Sequence, residues 1–391
     1  MLVLVYLYLF LFSFALSLLL VPLTRRLAFR LNMIDHPDLL GRKAHQQPRP
    51  LLGGLAIYFA FTITLLAQII GYYFLQNHQW FAARFPFLTG QSQHFFEILP
   101  KLLALWSGGT LMMILGFIDD RHGAGFSYKI KFVLQFFAAG ILIAAGIKTD
   151  FMPFNLLNTT VTIAWVVGIT NAFNLLDNMD GLSAGVATIA ALIFFVITAA
   201  QGQMFSAMIF ALLIGAALGF LIYNFNPAKI FMGDTGSLFI GYMLATLSIT
   251  SSYVVPASVN LLPVAAPLLI LSLPIFDTLS VMFIRHKENR PLFIGDRRHF
   301  SHRLVDLGMS QRGAVIFIYL VALSIGVAAS LLPYLPLWGQ ILVLLQTVAI
   351  YMMIVILMHV AERRERADQL KSACSTATTG GITTASLHNI R

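Results

Sequence analysis

Apolar residues run along this chain in long blocks with short polar breaks between them. The blocks lie at about 2–23, 51–75, 102–118, 129–147, 157–173, 182–200, 204–223, 236–252, 260–284, 313–333 and 338–358. A helix of about 20 such residues crosses the roughly 30 Å hydrocarbon core of a bilayer. The apolar positions are continuous rather than alternating, which excludes a membrane β-barrel. Residues 181–228 carry no charge and are too long for one span, and Gln201-Gly202-Gln203 supplies a turn between two. Pro256 and Asn260 interrupt the next stretch, and Pro333 and Pro336 separate the last pair. The pattern predicts an all-α polytopic membrane protein with about eleven transmembrane helices.

Composition agrees. Of 391 residues, 58% are hydrophobic and 10% charged, against about 25% charged in a soluble domain. The mean hydropathy is +0.82. An ordinary soluble protein and a disordered one are both excluded. The net charge of +9 is a matter of topology: with eleven spans, 22 of the 25 Lys and Arg fall on one side. That side holds loops 24–50, 119–131, 174–181, 224–235 and 285–312 and the C-terminal tail. Arg84, Lys101 and Lys148 fall on the other. The positive-inside rule then puts the N-terminus outside and the C-terminus in the cytoplasm, whereas ten or twelve spans would put a large basic segment outside. Nucleic acid is not an expected partner. The first block lacks a basic leader and precedes Arg25, Arg26 and Arg30, so it reads as a span rather than a cleaved signal. Cys374 is the single cysteine, so no internal disulfide or Cys-based metal chemistry is implied. Residues 1–360 read as one integral membrane domain and 361–391 as a cytoplasmic, disordered tail.

The acids are more informative than the bases. Asp119, Asp120, Asp177, Asp180, Asp234 and Asp277 each lie in, or at the cytoplasmic end of, a predicted span. Carboxylates at that depth are costly and mark functional sites. Six on one face would repel one another unless their pKa values rise or a hard cation binds. Oxygen donors without a Cys or His cluster favour Mg²⁺ or Mn²⁺.

Each segment also has a plainer reading. Asp119-Asp120-Arg121 could bind a metal or accept a proton, or it could be a helix end interacting with Arg121 and Lys129. Spacings of three put Asn171, Asn174 and Asp177 on one helix face, with Asp180-Gly181 turning the chain; hydrogen bonds between helices are the alternative. In the segment from Asn224 to Ser237, glycines permit close approach, Asp234 could ligate a metal and Phe231 could stack on a base; helix capping accounts only for its last residues. Asp277, alone inside an apolar run, is as compatible with a buried ion pair or a helix-packing hydrogen bond as with a catalytic role. The loop 285–312 contains His299, His302 and Arg303, which could hold phosphates and sugar hydroxyls; positive-inside charge explains its other bases but not the paired histidines. Lys43, in a basic loop before the second span, could face phosphate or be topogenic.

In this order the segments resemble the polyprenyl-phosphate N-acetylhexosamine-1-phosphate transferase family. The matching residues are the Asp119-Asp120 pair, Asn171-x-x-Asn174-x-x-Asp177-x-x-Asp180-Gly181, and Phe231-Met-Gly-Asp234-x-Gly-Ser237. His299-x-x-His302-Arg303-Leu304 looks like the bacterial N-acetylglucosamine-1-phosphate branch. That branch usually has His-x-His-His, and Ser301 stands here for the middle histidine. The distinct His-rich motif of the peptidoglycan-precursor branch is not found.

The resemblance implies transfer of N-acetylglucosamine 1-phosphate from UDP-GlcNAc to undecaprenyl phosphate at the cytoplasmic face of a bacterial inner membrane. It implies Mg²⁺ on Asn174 and Asp234, with Mn²⁺ as a substitute. Asp119 would act on the prenyl phosphate with Asp120 in support, and Asn224 and Phe231 would line a uridine pocket. Asp177, Asp180, His299, His302 and Arg303 would meet the diphosphate or sugar, with Asn171 and Asp277 also on the substrate side. Lys43, Lys129 and Lys131 would contact phosphates. Another UDP-HexNAc donor, including UDP-MurNAc-pentapeptide, remains an alternative, and a homodimer remains open. The rival from another class is an ion-coupled transporter, which predicts acids near the midplane and broken helices in related halves.

Overall fold

The computed structural model describes residues 1–36, 48–86, 92–254, 260–289 and 299–379, with backbone alone at 92–96, 124 and 361–379. The chain is an all-α, multi-pass membrane protein. Its helices are α1 (Leu2–Arg30), α2 (Gly53–Leu75), α3 (Gln79–Arg84), α4 (Ser92–His122), α5 (Tyr128–Ala144), α6 (Asn155–Leu176) and α7 (Leu182–Ala200), followed by α8 (Met204–Asn224), α9 (Gly233–Thr250), α10 (Ala266–Ile270), α11 (Ser272–Lys287), α12 (Phe300–Asp306), α13 (Gln311–Ser330) and α14 (Leu337–Thr379). A two-stranded antiparallel ribbon, β1 (Ile34–Asp35) with β2 (Arg49–Pro50), joins α1 to α2.

Every one of the eleven expected spans coincides with helix. By length and hydropathy eight described helices are able to cross a membrane, or nine when α10 and α11, with the short 3-10 turn before them, are one span bent by 67°. The remaining two are α5 and α9. The first is 17 residues long. The second carries Asp234, Thr235 and three glycines among its 18 residues. Its sequence is less apolar because it never meets lipid: Thr235 through Ser248 are all buried, packed among α2, α4, α6 and α7. Small and hydroxylated residues suit a helix enclosed by other helices, where backbones approach closely.

At the C-terminus the helix continues to Thr379, well into the residues expected as an irregular tail. Residues 361–372 are mostly Ala, Glu, Arg, Gln, Leu and Lys, strong helix formers with no Gly or Pro among them.

The bundle is tied to its central helix near the ends of α2 and α4. A Cβ at Gly116 of α4 would lie 2.2 Å from the Asp234 carbonyl oxygen. The Gly53 and Gly54 amides donate to the Phe231 and Met232 carbonyls at 2.9 Å each. The residues just before α9 are thus held against the start of α2, which fixes where Asp234 emerges.

Candidate active site

Four helix ends meet beside Asp234. Asp119 ends α4, Lys131 lies in the first turn of α5, Asn174 in the last turns of α6, and Asp234 in the first turn of α9. Lys131 Nζ donates to Asp234 Oδ2 at 2.9 Å and forms an ion pair with Asp119. Asn174 Nδ2 donates to Asp234 Oδ1 at 2.8 Å and to Ser237 Oγ at 2.9 Å. Asp234 sits where a helix dipole favours negative charge. Lys131 sits where the dipole opposes its charge, so the two carboxylates are what hold it there.

Asp120 faces the other way. Its Oδ1 accepts from the Asp234 amide at 2.8 Å, and its Oδ2 accepts from the Thr235 amide at 3.0 Å and from Thr235 Oγ1 at 2.6 Å. It therefore caps α9 from a different helix and satisfies two amides that the first turn of any helix leaves unpaired. Gly233, at φ +70°, permits this approach. A Cβ there would stand 2.5 Å from Asp120 Oδ2 in a conformation that L side chains rarely adopt.

A second pair of loops supports the same region. Asp180 Oδ2 accepts from Asn226 Nδ2 at 3.0 Å and from the Ala228 amide at 2.9 Å. Asn224 accepts from the Gly181 amide at 3.0 Å and donates to the Ile230 carbonyl at 3.0 Å, and it is buried. Asn224 thus braces the loop that presents Phe231, which is half-buried, with its backbone paired to Pro50 and Gly53. Among described residues the half-buried Asp177 carboxylate has neither a hydrogen bond nor an ion pair. Burial, and then the charges of Asp234, Asp120 and Asp180, push its carboxyl well above the usual carboxylate range.

The basic segment is held separately. His299 Nδ1 lies 2.8 Å from Asp277 Oδ2, and the Phe300 amide donates to Asp277 Oδ1 at 2.8 Å. Both His299 and Asp277 are buried, as is Arg303, while His302 is half-buried. Ser301 Oγ donates to Asn178 Oδ1 at 2.6 Å, which links this segment to the loop of Asp177 and Asp180.

Other expected residues lie apart. Asn171 Nδ2 donates to Gln135 Oε1 at 2.7 Å, joining α6 to α5 one turn below Asn174. Lys129 is exposed, and Lys43 lies outside the described residues. The motifs give no role to Gln135, Asn178, Asn226 or Thr235, all of which hold site residues, while Ser237, the last residue of the Phe231–Ser237 motif, accepts from Asn174. Thr235 follows Asp234 directly and Asn178 stands between the two acids, so spacing was the available signal.

Asp119, Asp177 and Asp234 bring carboxylates into one small region, where among the described residues Lys131 is the ammonium paired with Asp119 and Asp234. That oxygen-only set suits a hard divalent cation, and the uncompensated charge favours one. Among the described residues no three His, Cys, Asp or Glu side chains are already gathered as ligands. Asn174 turns its amide nitrogen, not its oxygen, toward Asp234.

Residues 102–252 match the family described as Glycosyl transferase family 4. The chain is 32% identical over 353 residues to a probable undecaprenyl-phosphate N-acetylglucosaminyl 1-phosphate transferase of Bacillus subtilis, covering 88% of each. It is 34% identical over 325 residues to a decaprenyl-phosphate N-acetylglucosaminephosphotransferase of Mycolicibacterium smegmatis, covering 76% of this chain and 74% of that one. A phospho-N-acetylmuramoyl-pentapeptide-transferase of Bacillus thuringiensis is 33% identical over 251 residues, 59% of this chain and 69% of that one. With the Asp, Asn and Gly segments converging as described and relatives of this extent, the chain belongs to glycosyl transferase family 4, the polyprenyl-phosphate N-acetylhexosamine-1-phosphate transferases.

Proposed function

We propose that this protein transfers N-acetylglucosamine 1-phosphate from UDP-GlcNAc to undecaprenyl phosphate, releasing UMP and a lipid-linked diphosphate sugar that starts cell-surface polysaccharide synthesis. The observation that carries this reading is the junction of Asp119, Lys131, Asn174 and Asp234 at four helix ends. An acceptor phosphate oxygen attacks the β-phosphorus of the donor. The bond from that phosphorus to the bridging oxygen breaks, and its electron pair leaves with UMP. Such a reaction needs charge neutralisation and alignment more than covalent help. Asp119 orients the acceptor or removes its residual proton, and Lys131 supplies positive charge beside it. Asp234 and Asn174 would hold Mg²⁺, or Mn²⁺, which when bound stabilises charge on the departing UMP.

Asp177, Asp180, His299, His302 and Arg303 face the diphosphate and sugar, and Phe231 with Asn224 shapes the uridine pocket. Lys129, which is exposed, meets phosphate, and Lys43, outside the described residues, is assigned the same role from the sequence. Asp120 and Asp277 act through what they hold, the first turn of α9 and the ring of His299. Asn171 acts through Gln135 on the packing of α5 and α6. Residues 1–360 form the catalytic domain, with eleven spans in a bacterial inner membrane. The 22 of 25 bases on one side support a site open to cytoplasmic UDP-sugar.

The GlcNAc donor is favoured by the greater reach of the GlcNAc relatives, 88% of this chain against 59% for the muramoyl-pentapeptide relative. The test is a donor panel. Purified protein with Mg²⁺, undecaprenyl phosphate and UDP-[³H]GlcNAc should give labelled lipid and UMP. Turnover with UDP-MurNAc-pentapeptide alone selects the other branch, and no lipid product from any UDP-HexNAc refutes the transferase reading.

A further inference from the structure

We propose that Ser301 and Asn178 form a latch that docks the basic helix α12 against the acidic loop 177–180 and thereby sets the affinity for the diphosphate of the donor. This rests on the transferase reading above and adds two positioning residues to it.

The helix α12 and the residue before it carry His299, His302 and Arg303. On one side they are anchored to α11 and α13. Asp277 takes both His299 Nδ1 and the Phe300 amide. The Phe300 ring, 2% exposed, packs edge-on against Phe276 of α11 and Phe317 of α13, with centroids 6.3 and 6.5 Å apart. These contacts tie the segment to α11 and α13. The Ser301–Asn178 hydrogen bond, at 2.6 Å, ties it directly to the loop of Asp177 and Asp180.

Asn178 is suited to this because its other amide atom is already committed. Its Nδ2 donates to the Leu175 carbonyl at 2.9 Å, in the last turn of α6. The side chain is therefore a rigid bracket between α6 and α12, one residue from Asp177 and two from Asp180. Ser301 is 2% exposed, so water does not readily replace its hydroxyl. The Ser301 hydroxyl is thus spent on holding α12 in place rather than on touching substrate.

The experiment uses the full chain in lipid nanodiscs, with Ser301→Ala, Ser301→Thr, Asn178→Ala and the double alanine variant. Two readouts are taken. Hydrogen exchange without substrates reports the latch itself: amides of residues 299–306 should exchange faster in Ser301→Ala and Asn178→Ala and return to parental rates in Ser301→Thr. Steady-state kinetics report its consequence. Each alanine variant should raise KM for the UDP-sugar about three- to tenfold, the worth of one buried hydrogen bond. The kcat and the KM for polyprenyl phosphate should stay within about twofold, and the double variant should be no worse than either single one. Unchanged exchange at 299–306, additive effects on KM, no rescue by threonine, or a parallel fall in kcat with both KM values each overturns the proposal. If the parent protein turns over no UDP-sugar, the transferase reading fails by itself, and the exchange result still decides whether the latch exists.

Discussion

Asp119 and Asp120 are neighbours in sequence, yet the geometry assigns them opposite fates under substitution. Asp120→Asn keeps the shape of the side chain but replaces one acceptor oxygen with an NH₂ group. If Oδ1 stays on the Asp234 amide, the new NH₂ faces the Thr235 amide, a donor against a donor. The lost charge-assisted bond costs about 1.5–3 kcal/mol, and the lost charge at the start of α9 about 0.3–1 kcal/mol more. Asp120→Ala removes the acceptor for the Asp234 amide, the Thr235 amide and Thr235 Oγ1 together. At about 1–3 kcal/mol for each buried donor left unpaired, and with the hydroxyl free to rotate elsewhere, it costs about 2–6 kcal/mol. Asp119→Asn should be close to neutral for the fold, since Lys131 retains Asp234 and one of several crowded carboxylates loses its charge. It should nevertheless abolish turnover. The assay pairs apparent unfolding midpoints of detergent-solubilised protein with radiolabelled lipid formation. Asp120→Asn should unfold several degrees lower and Asp119→Asn should match the parent within about a degree. Equal midpoints for the two asparagine variants, or a lower one for Asp119→Asn, would refute the division of roles.

Lys131→Met removes the ammonium between Asp119 and Asp234; its midpoint should fall in EDTA and recover with millimolar Mg²⁺, a recovery read from stability and not from turnover, and no recovery removes the cation argument. Asp177, outside the spans, has its carboxyl pKa raised by burial and neighbouring acids. Between about pH 4, its unfolded value, and its higher folded value, the native chain binds more protons than the unfolded one, so its stabilising contribution is complete at low pH and is lost as pH rises. Asp177→Asn should therefore unfold at a higher temperature than the parent in EDTA at about pH 8, with the difference shrinking towards about pH 4; a constant difference contradicts the shift. Asn171→Ala loses both hydrogen bonds to the buried Gln135 and should cost about 1–3 kcal/mol of stability with KM unchanged; a KM change for the donor would put Asn171 in the site. Gly116→Ala would place a methyl 2.2 Å from the Asp234 carbonyl oxygen and should lower both the midpoint and the apparent Mg²⁺ affinity, whereas parental values for both would show that the contact tolerates a side chain.

The positions of the spans were legible because lipid imposes its demand on each helix separately. Any stretch facing hydrocarbon must be apolar by itself, and hydropathy reads that directly. The helix α9 shows the limit: it is placed by α2, α4, α6 and α7 around it, so the residues that matter are glycines and hydroxyls that let those helices approach. The continuation of α14 to Thr379 was hidden for the opposite reason, since its charge made a helix look like a tail. Within the site, residue types and spacing singled out Asp119, Asn174 and Asp234, which meet at one junction, but not which partner each would take there. Asn171 and Asn174 share a face of α6, yet one turn of rise brings the first to Gln135 of α5 and the second to Asp234 of α9. Asp119 and Asp120 differ by about 100° around α4, and that angle decides which one meets an ammonium and which meets the start of a helix. No local pattern encodes it, because it depends on which neighbour packs on which face. The arrangement has a physical logic of its own. Crowded carboxylates repel, and here one is absorbed by the two amides and a hydroxyl at the start of α9, two share Lys131, and Asp177 is left without a counter-charge among described residues. That remaining charge is what a divalent cation with a diphosphate would complete, so the segment most costly to fold is also the one with most to gain from substrate.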